Sequence, residues 1–265
     1  MASGAAITEI LTGLTVGILV GLTGVGGGIL LLPILTSVLG VAPIVAVGTD
    51  AVVNCVTKIG AGAVHWRRGN VNWRLVLTLG MGSVPGAFMG VAVLVLMRGR
   101  LADVNHFLRL AIAVLLIVIP AVSLYAQHSS SLTPLRAAQK HRTIEYGIAL
   151  IGLCVGVLVG LTSIGSGTVT LMLLLVFYGY APAVLVGTDV VHGLLLTGVT
   201  ALLQSHLGNV DFGLAERILI GSIPGGLLGA FIANRVPSNR LKQVLYALLI
   251  VFGVRMFWVG IVHGS

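Results

Sequence analysis

The chain has 265 residues, of which 57% are hydrophobic and only 8% charged. A soluble domain carries about 25% charged residues, so this chain cannot cover itself with polar surface, and its mean hydropathy of +1.10 makes it an integral membrane protein. The formal charge of +8 includes no basic run interleaved with aromatics, which argues against a nucleic-acid partner and leaves the charge to be read through loop placement.

Apolar segments lie at 5–23, 29–40, 43–64, 74–97, 106–126, 145–163, 168–180, 182–203, 213–233 and 241–262. No Lys or Arg precedes the first, which carries Glu9; without a signal-peptide n-region, that helix is expected to remain in the mature protein. The polar stretch QHSSSLTPLRAAQKHR reads as a surface linker, placed at 128–142. Cys55 and Cys154 fall in apolar segments, match no C-x-x-C spacing and read as two buried small hydrophobes.

The chain repeats itself at a shift of 139 residues. GILVGLTGVGGG (17–28) lies on GVLVGLTSIGSG (156–167), and APIVAVGTDAVV (42–53) on APAVLVGTDVVH (181–192). GNVNW (69–73) lies on GNVDF (208–212), and GSVPGAFMG (82–90) on GSIPGGLLG (221–229). The expected division is a first transmembrane repeat, 1–127, and a second, 143–265. Internal repeats in a membrane protein point to secondary transporters, whose sites lie at the repeat interface.

Segments 29–40 and 168–180 hold 12 and 13 residues, about 18–20 Å of helix against a hydrocarbon core of about 30 Å. Each follows a glycine-rich break. We therefore read 5–40 and 145–180 as broken, re-entrant helical hairpins with tips at GVGGG and SIGSG, each followed by three transmembrane helices. The fold class is all-α and polytopic, with about eight long helical segments. If each hairpin returns to its own side, the repeats are inverted. Arg67, Arg68, Arg74, Arg136, Lys140, Arg142, Arg235, Arg240 and Lys242 then face one side and Arg98, Arg100, Arg109 and Arg217 the other. Nine against four obeys the positive-inside rule and makes the linker cytoplasmic.

A helix that starts after a glycine break directs free N–H groups and a positive dipole end at its tip. Two such tips meeting at the repeat interface would form an anion site, with glycine allowing close backbone approach. The candidate substrate-binding residues are Thr23, Gly26, Gly27 and Gly28 with Thr162, Ser163, Gly165, Ser166 and Gly167, the hydroxyls acting as extra donors. On the following helix Asp50, Asn54 and Lys58 form one polar stripe at i, i+4 and i+8. Asn54 and Lys58 join the substrate set. Asp50, Asp189 and His192 are candidate proton-coupling groups, since intramembrane carboxylates are rare and functional by default. GSVPG and GSIPG read as packing and kink positions. HWRRGNVNW reads as a helix end, a Gly69 turn and a new helix start, with Asn72 and Asp211 as N-caps. No H-E-x-x-H pair, P-loop or G-x-S-x-G elbow is present, so no enzymatic activity, cofactor or metal is expected.

The combination of GVGGG after the first helix, VGTD on the next, K-x-x-G…H…G-N-V-N-W and G-S-x-P-G, in a unit present twice, resembles the sulfite exporter TauE/SafE family of membrane permeases. The resemblance covers nearly the whole chain. It implies transport of a small sulfur-containing or organic anion, such as sulfite or sulfoacetate, across a bacterial inner membrane. A sulfonate's three oxygens suit several N–H donors and one cation. The partners expected are a small anionic substrate and membrane lipid, with a homodimer left open. An anion channel with a filter of backbone dipoles, or a membrane subunit that does not transport, are the alternatives.

Overall fold

The computed structural model describes residues 2–23, 26–97, 99, 101–128, 141–177, 181–232 and 238–262. Among them every regular element is an α-helix: α1 Ala2–Thr23, α2 Gly27–Ser37, α3 Pro43–Arg67, α4 Trp73–Leu96, α5 Leu101–His128, α6 His141–Thr162, α7 Thr168–Phe177, α8 Pro182–His206, α9 Phe212–Ile232 and α10 Ser238–Val262. By length and composition, seven of these are apolar enough to cross a membrane. The chain is a polytopic membrane protein.

Local chemistry sets the helix ends. Pro43 and Pro182 open α3 and α8, where a missing N–H costs nothing. The Asn72 and Asp211 side chains accept from the Leu75 and Leu214 N–H groups, at 3.3 and 2.9 Å, as N-caps. Gly69 and Gly208 close α3 and α8 with φ of +68° and +72°, a conformation that favours glycine. The short elements α2 and α7 have 11 and 10 residues, about 15–17 Å. Here the sequence reading needs adjustment. The last two glycines of GVGGG belong to the first turn of α2, and α2 stops at Ser37 rather than at residue 40. α5 and α6 run into the expected linker as far as His128 and from His141, and residues 129–140 of that linker lie outside the described residues.

Glycine ladders join the two halves. Gly13, Gly17 and Gly21 of α1 abut the backbone of Ile218, Ser222 and Gly226 of α9, and Gly221, Gly225 and Gly229 return the contact onto Ile10, Leu14 and Ile18. Gly82, Gly86 and Gly90 of α4 meet Ala149, Leu153 and Val157 of α6 in the same way, answered by Gly152, Gly156 and Gly160 on Leu79, Ser83 and Ala87. Spacing by four residues puts every glycine on one helix face, and backbones in direct contact gain the dispersion energy that drives association in lipid. GSVPG and GSIPG thus sit in the ladders, with Pro85 and Pro224 inside their helices. An ion pair between Arg217 and Glu9 also ties α9 to α1.

Numbers rise together along both ladders, so α1 is parallel to α9 and α4 to α6. Between α3 and α8 the order is opposite: Gly62 faces Val191 and Leu194, Lys58 faces Gly193 and Cys55 faces Gly198. These VGTD helices, equivalent under the 139-residue shift, are antiparallel. α9 follows α8 through a short turn, so α9, and α1 with it, runs along α3. α2 runs against α3, because Gly27 and Gly28 meet Asn54 and Asp50 while its other end connects to Pro43. α1 and α2 therefore form a hairpin.

Each G-N-V turn docks on the VGT of the other half. The Asp211 N–H donates to Thr49 Oγ1 at 3.1 Å and the Asn72 N–H to Thr188 Oγ1 at 2.9 Å. Gly48 and Gly187 stand directly against the carbonyls of Asn209 and Asn70. α2 is mostly buried, with Leu31, Leu32 and Leu35 at most 1% exposed, in a core shared with α3, α5, α9 and α10. The cysteines depart from expectation: Cys55 is half-buried and Cys154 exposed.

Candidate functional site

Residues from four segments converge at the hairpin ends. A Cβ added to Gly26 would lie 3.5 Å from the Ser166 carbonyl oxygen and 3.6 Å from Thr168 Oγ1, and one on Gly167 would lie 3.5 Å from Gly26 Cα. The two breaks face each other. Gly24 and Val25, part of the GVGGG motif, lie outside the described residues. Gly165 and Gly167 have φ of +118° and +136°, and Ser163 adopts φ of +58°, so this chain segment is non-helical between α6 and α7.

The polar stripe of α3 presses on the first turn of α2. A Cβ on Gly27 would stand 2.7 Å from Asn54 Oδ1, and one on Gly28 would stand 2.8 Å from Asp50 Oδ2 and 2.9 Å from the Ser163 carbonyl oxygen. The backbone contact leaves no room for a side chain at Gly28, whereas at Gly27 the Asn54 amide would have to shift. Asn54 Nδ2 donates to the Asp50 carbonyl at 3.0 Å, which fixes the amide on its own helix. One turn further on, half-buried Lys58 crosses to the second hairpin, its Nζ donating to Ser166 O and Oγ, both at 2.8 Å. The counterpart of Lys58 in α8 is Thr197, whose hydroxyl donates to the Gly193 carbonyl at 2.7 Å. The centre is thus asymmetric, with two carboxylates and one ammonium.

Asp50 is fully buried and Asp189 is 4% exposed. Neither oxygen of Asp50, nor Oδ1 of Asp189, has a hydrogen-bond partner, and the buried Ser163 Oγ lacks one too. Among the described residues Lys58 is the cation near both carboxylates. Asp189 Oδ2 lies 3.9 Å from a Cβ on Gly167, which places it at the start of α7.

Three expected residues sit differently. Thr23 and Thr162 turn their hydroxyls onto their own helices, donating to Leu19 and Leu158 carbonyls at 2.6 and 2.7 Å, so these protons do not point into the site. This is the usual resting geometry of threonine in an apolar helix. His192 reaches across to α4, with Nε2 2.8 Å from Ser83 Oγ, and is fully buried. Sequence reasoning assigned Ser83 to packing alone. The partner of His192 could not be read from spacing, because 109 residues separate the two.

Two half-helices that start face to face inside a bundle, beside one half-buried lysine and two buried carboxylates, define a class: polytopic membrane proteins with charged groups held where helix breaks meet. The chain belongs to the sulfite exporter TauE/SafE family, whose model matches residues 9–256. It is 36% identical over 256 residues to "Probable membrane transporter protein YjnA" of Bacillus subtilis, covering 94% of this chain and 99% of that one. A "Probable membrane transporter protein" of Xylella fastidiosa is 28% identical over 260 residues, covering 95% of each chain. "Probable membrane transporter protein YunE" of Bacillus subtilis is 27% identical over 268 residues, covering 95% of this chain and 97% of that one. No solved structure matches the chain. It is a multi-pass protein of a membrane transporter family.

Proposed function

We propose that the protein is a secondary transporter that moves a small anion across the bacterial inner membrane, with sulfite or a sulfonate such as sulfoacetate as the substrate. The observation that carries this reading is the meeting of the α2 and α7 starts at Gly26 and Gly167, next to Lys58. First-turn N–H groups of two helices, one ammonium and the Ser166 hydroxyl can serve the several oxygens of such an anion. The family description supplies the sulfur chemistry.

With both carboxylates ionised, the centre carries one negative charge beyond what Lys58 offsets, and an anion would meet repulsion there. Uptake of a proton on Asp189 removes it, so proton and anion enter together. His192, held on Ser83, stands one turn along the same helix and orients the local polar network. We further propose two inverted units, 1–127 and 143–265, joined by a cytoplasmic linker, 128–142. The antiparallel VGTD helices support that relation.

Proteoliposomes loaded at different pH test the reading. Expected is saturable sulfite or sulfoacetate uptake that accumulates when the outside is acidic. Flux that does not saturate and never exceeds equilibrium would indicate a channel, and absence of flux for every sulfur oxyanion and small carboxylate would remove the transport assignment.

A further inference from the structure

The two G-N-V turns share one backbone and carry different side chains. In the first, the Gly69 and Asn70 N–H groups donate to the Trp66 and His65 carbonyls, and in the second Gly208 and Asn209 donate to Ser205 and Gln204, all at 3.0 Å. Both glycines take positive φ, and both turns end in a side-chain N-cap. The outward residues are therefore not what folds the turn, and the second copy serves as an internal control. Where the first turn has Arg67, Arg68 and Arg74, the second has His206, Leu207 and Gly213. Trp66 and Trp73 are matched by Ser205 and Phe212. The two tryptophans meet edge to face, with ring centroids 6.4 Å apart and planes at 89°, yet remain 63% and 49% exposed. They stand at the adjoining ends of two helices long and apolar enough to cross a membrane, the level where an apolar ring with one N–H is best placed. Along α4 from Trp73, at i+4 and i+8, Leu77 and Met81 continue the stripe at 64% and 68% exposed. In the second half Glu216 interrupts that stripe at the position of Leu77. The three arginines are exposed, and no Asp or Glu lies in the sequence between Asp50 and Asp103.

We propose that the α3–α4 turn binds an anionic phospholipid: Arg67 and Arg68 take its phosphate, Arg74 adds charge, and the tryptophan pair with Leu77 and Met81 takes one acyl chain. Guanidinium groups match phosphate oxygens in a fork, and basic residues at a membrane surface attract anionic lipid. Arginines alone would suit a free phosphate equally well. The apolar stripe that starts between them and runs into the span selects a lipid instead. The Asn72 N–H bond to Thr188 Oγ1 fixes the turn on α8, so the backbone that presents the arginines is ordered before any lipid arrives. The second turn, with one histidine for the three arginines and a carboxylate on its stripe, is not such a site. This surface lies apart from the helix breaks and owes nothing to the substrate assignment.

Tryptophan quenching tests the proposal on the full chain. The sequence has three tryptophans, so Trp258→Phe leaves Trp66 and Trp73 as the only reporters. This protein, in phosphatidylcholine vesicles, is titrated with phosphatidylglycerol or phosphatidylcholine brominated on the acyl chains, which quenches a tryptophan in contact. Phosphatidylglycerol should quench at a lower mole fraction, by about fivefold for each arginine engaged, and the preference should shrink as salt is added. Arg67→Gln and Arg68→Gln should each cut the preference about fivefold while brominated phosphatidylcholine quenches as before. Equal quenching by the two lipids before any arginine is changed would overturn the site, whether or not the variants fold. So would a preference that survives in the double variant. Displacement of the brominated phosphatidylglycerol by millimolar glycerol phosphate would make this a free-phosphate site, and absence of quenching by either lipid would mean that protein covers the face; both results overturn the proposal. No transport is measured, so the outcome stands whatever proteoliposome flux shows.

Discussion

Lys58 of α3 and Ser166 of the second hairpin are joined by two hydrogen bonds of 2.8 Å, one to the serine carbonyl and one to its hydroxyl. This is a bond between the two halves at the point where their helix breaks meet. On the proposed function an incoming anion would compete for the same ammonium, so its entry would loosen the attachment of hairpin α6–α7 to α3 and link binding to movement through one side chain.

Lys58→Met should weaken anion affinity about tenfold or more, since a hydrogen bond to a charged group contributes about 1.5–3 kcal/mol. It should also lower the unfolding midpoint, because Asp189 loses its cation. Removing one member of a buried pair costs more than removing both. The double variant Lys58→Met with Asp189→Asn should therefore be more stable than Lys58→Met alone, though equally unable to bind. Thermal unfolding and ligand titration on the three proteins decide this; a double variant no more stable than the single would break the pairing.

Asp189→Asn should retain counterflow exchange of substrate across liposome membranes while losing accumulation driven by a pH gradient. Both fluxes can be read from one preparation. Normal accumulation with normal pH dependence in this variant would remove Asp189 as the coupling group.

The ladders predict a sharp contrast among glycines. Gly86→Leu would drive a side chain into the Leu153 backbone, and Gly17→Leu into that of Ser222. Both should abolish folded protein, as judged by size-exclusion profile in detergent. Gly60, in α3 with nothing within 4 Å of its Cβ position, should accept alanine with no loss, and with a gain of up to about 1 kcal/mol from helix propensity.

Thr188→Val removes the acceptor of the Asn72 N–H at the start of α4. An orphaned donor in a poorly hydrated position costs about 1–3 kcal/mol. The unfolding midpoint should fall, and Thr49→Val should lower it comparably through Asp211. If neither changes the midpoint, the docking of the G-N-V turns contributes nothing to stability.

Much of the fold was legible because the chain states it twice. The glycine breaks, the short apolar segments after them and the VGTD motif each recur at the same offset. What escaped was contact between distant segments. Nothing in spacing couples Thr49 to Asp211, 162 residues away, or His192 to Ser83. Thr23 and Thr162 donate to carbonyls one turn back on their own helices, a local bond that composition does not reveal. Cys154 was misread for a different reason: in lipid the outward face is as apolar as the core, so hydrophobicity no longer separates buried from exposed.

Because the ladders pair α1 with α9 and α4 with α6, neither half can complete its own packing. Gly17 and its partner Ser222 are separated by roughly 200 residues of chain, and synthesis proceeds at about 5–20 residues per second. The first helix therefore waits roughly 10–40 s in the bilayer for the surface it is shaped to fit. During that interval Glu9 stands in or near lipid without Arg217. The cell must shelter an acidic, glycine-edged helix until translation is nearly finished, which makes the insertion machinery part of how this protein folds.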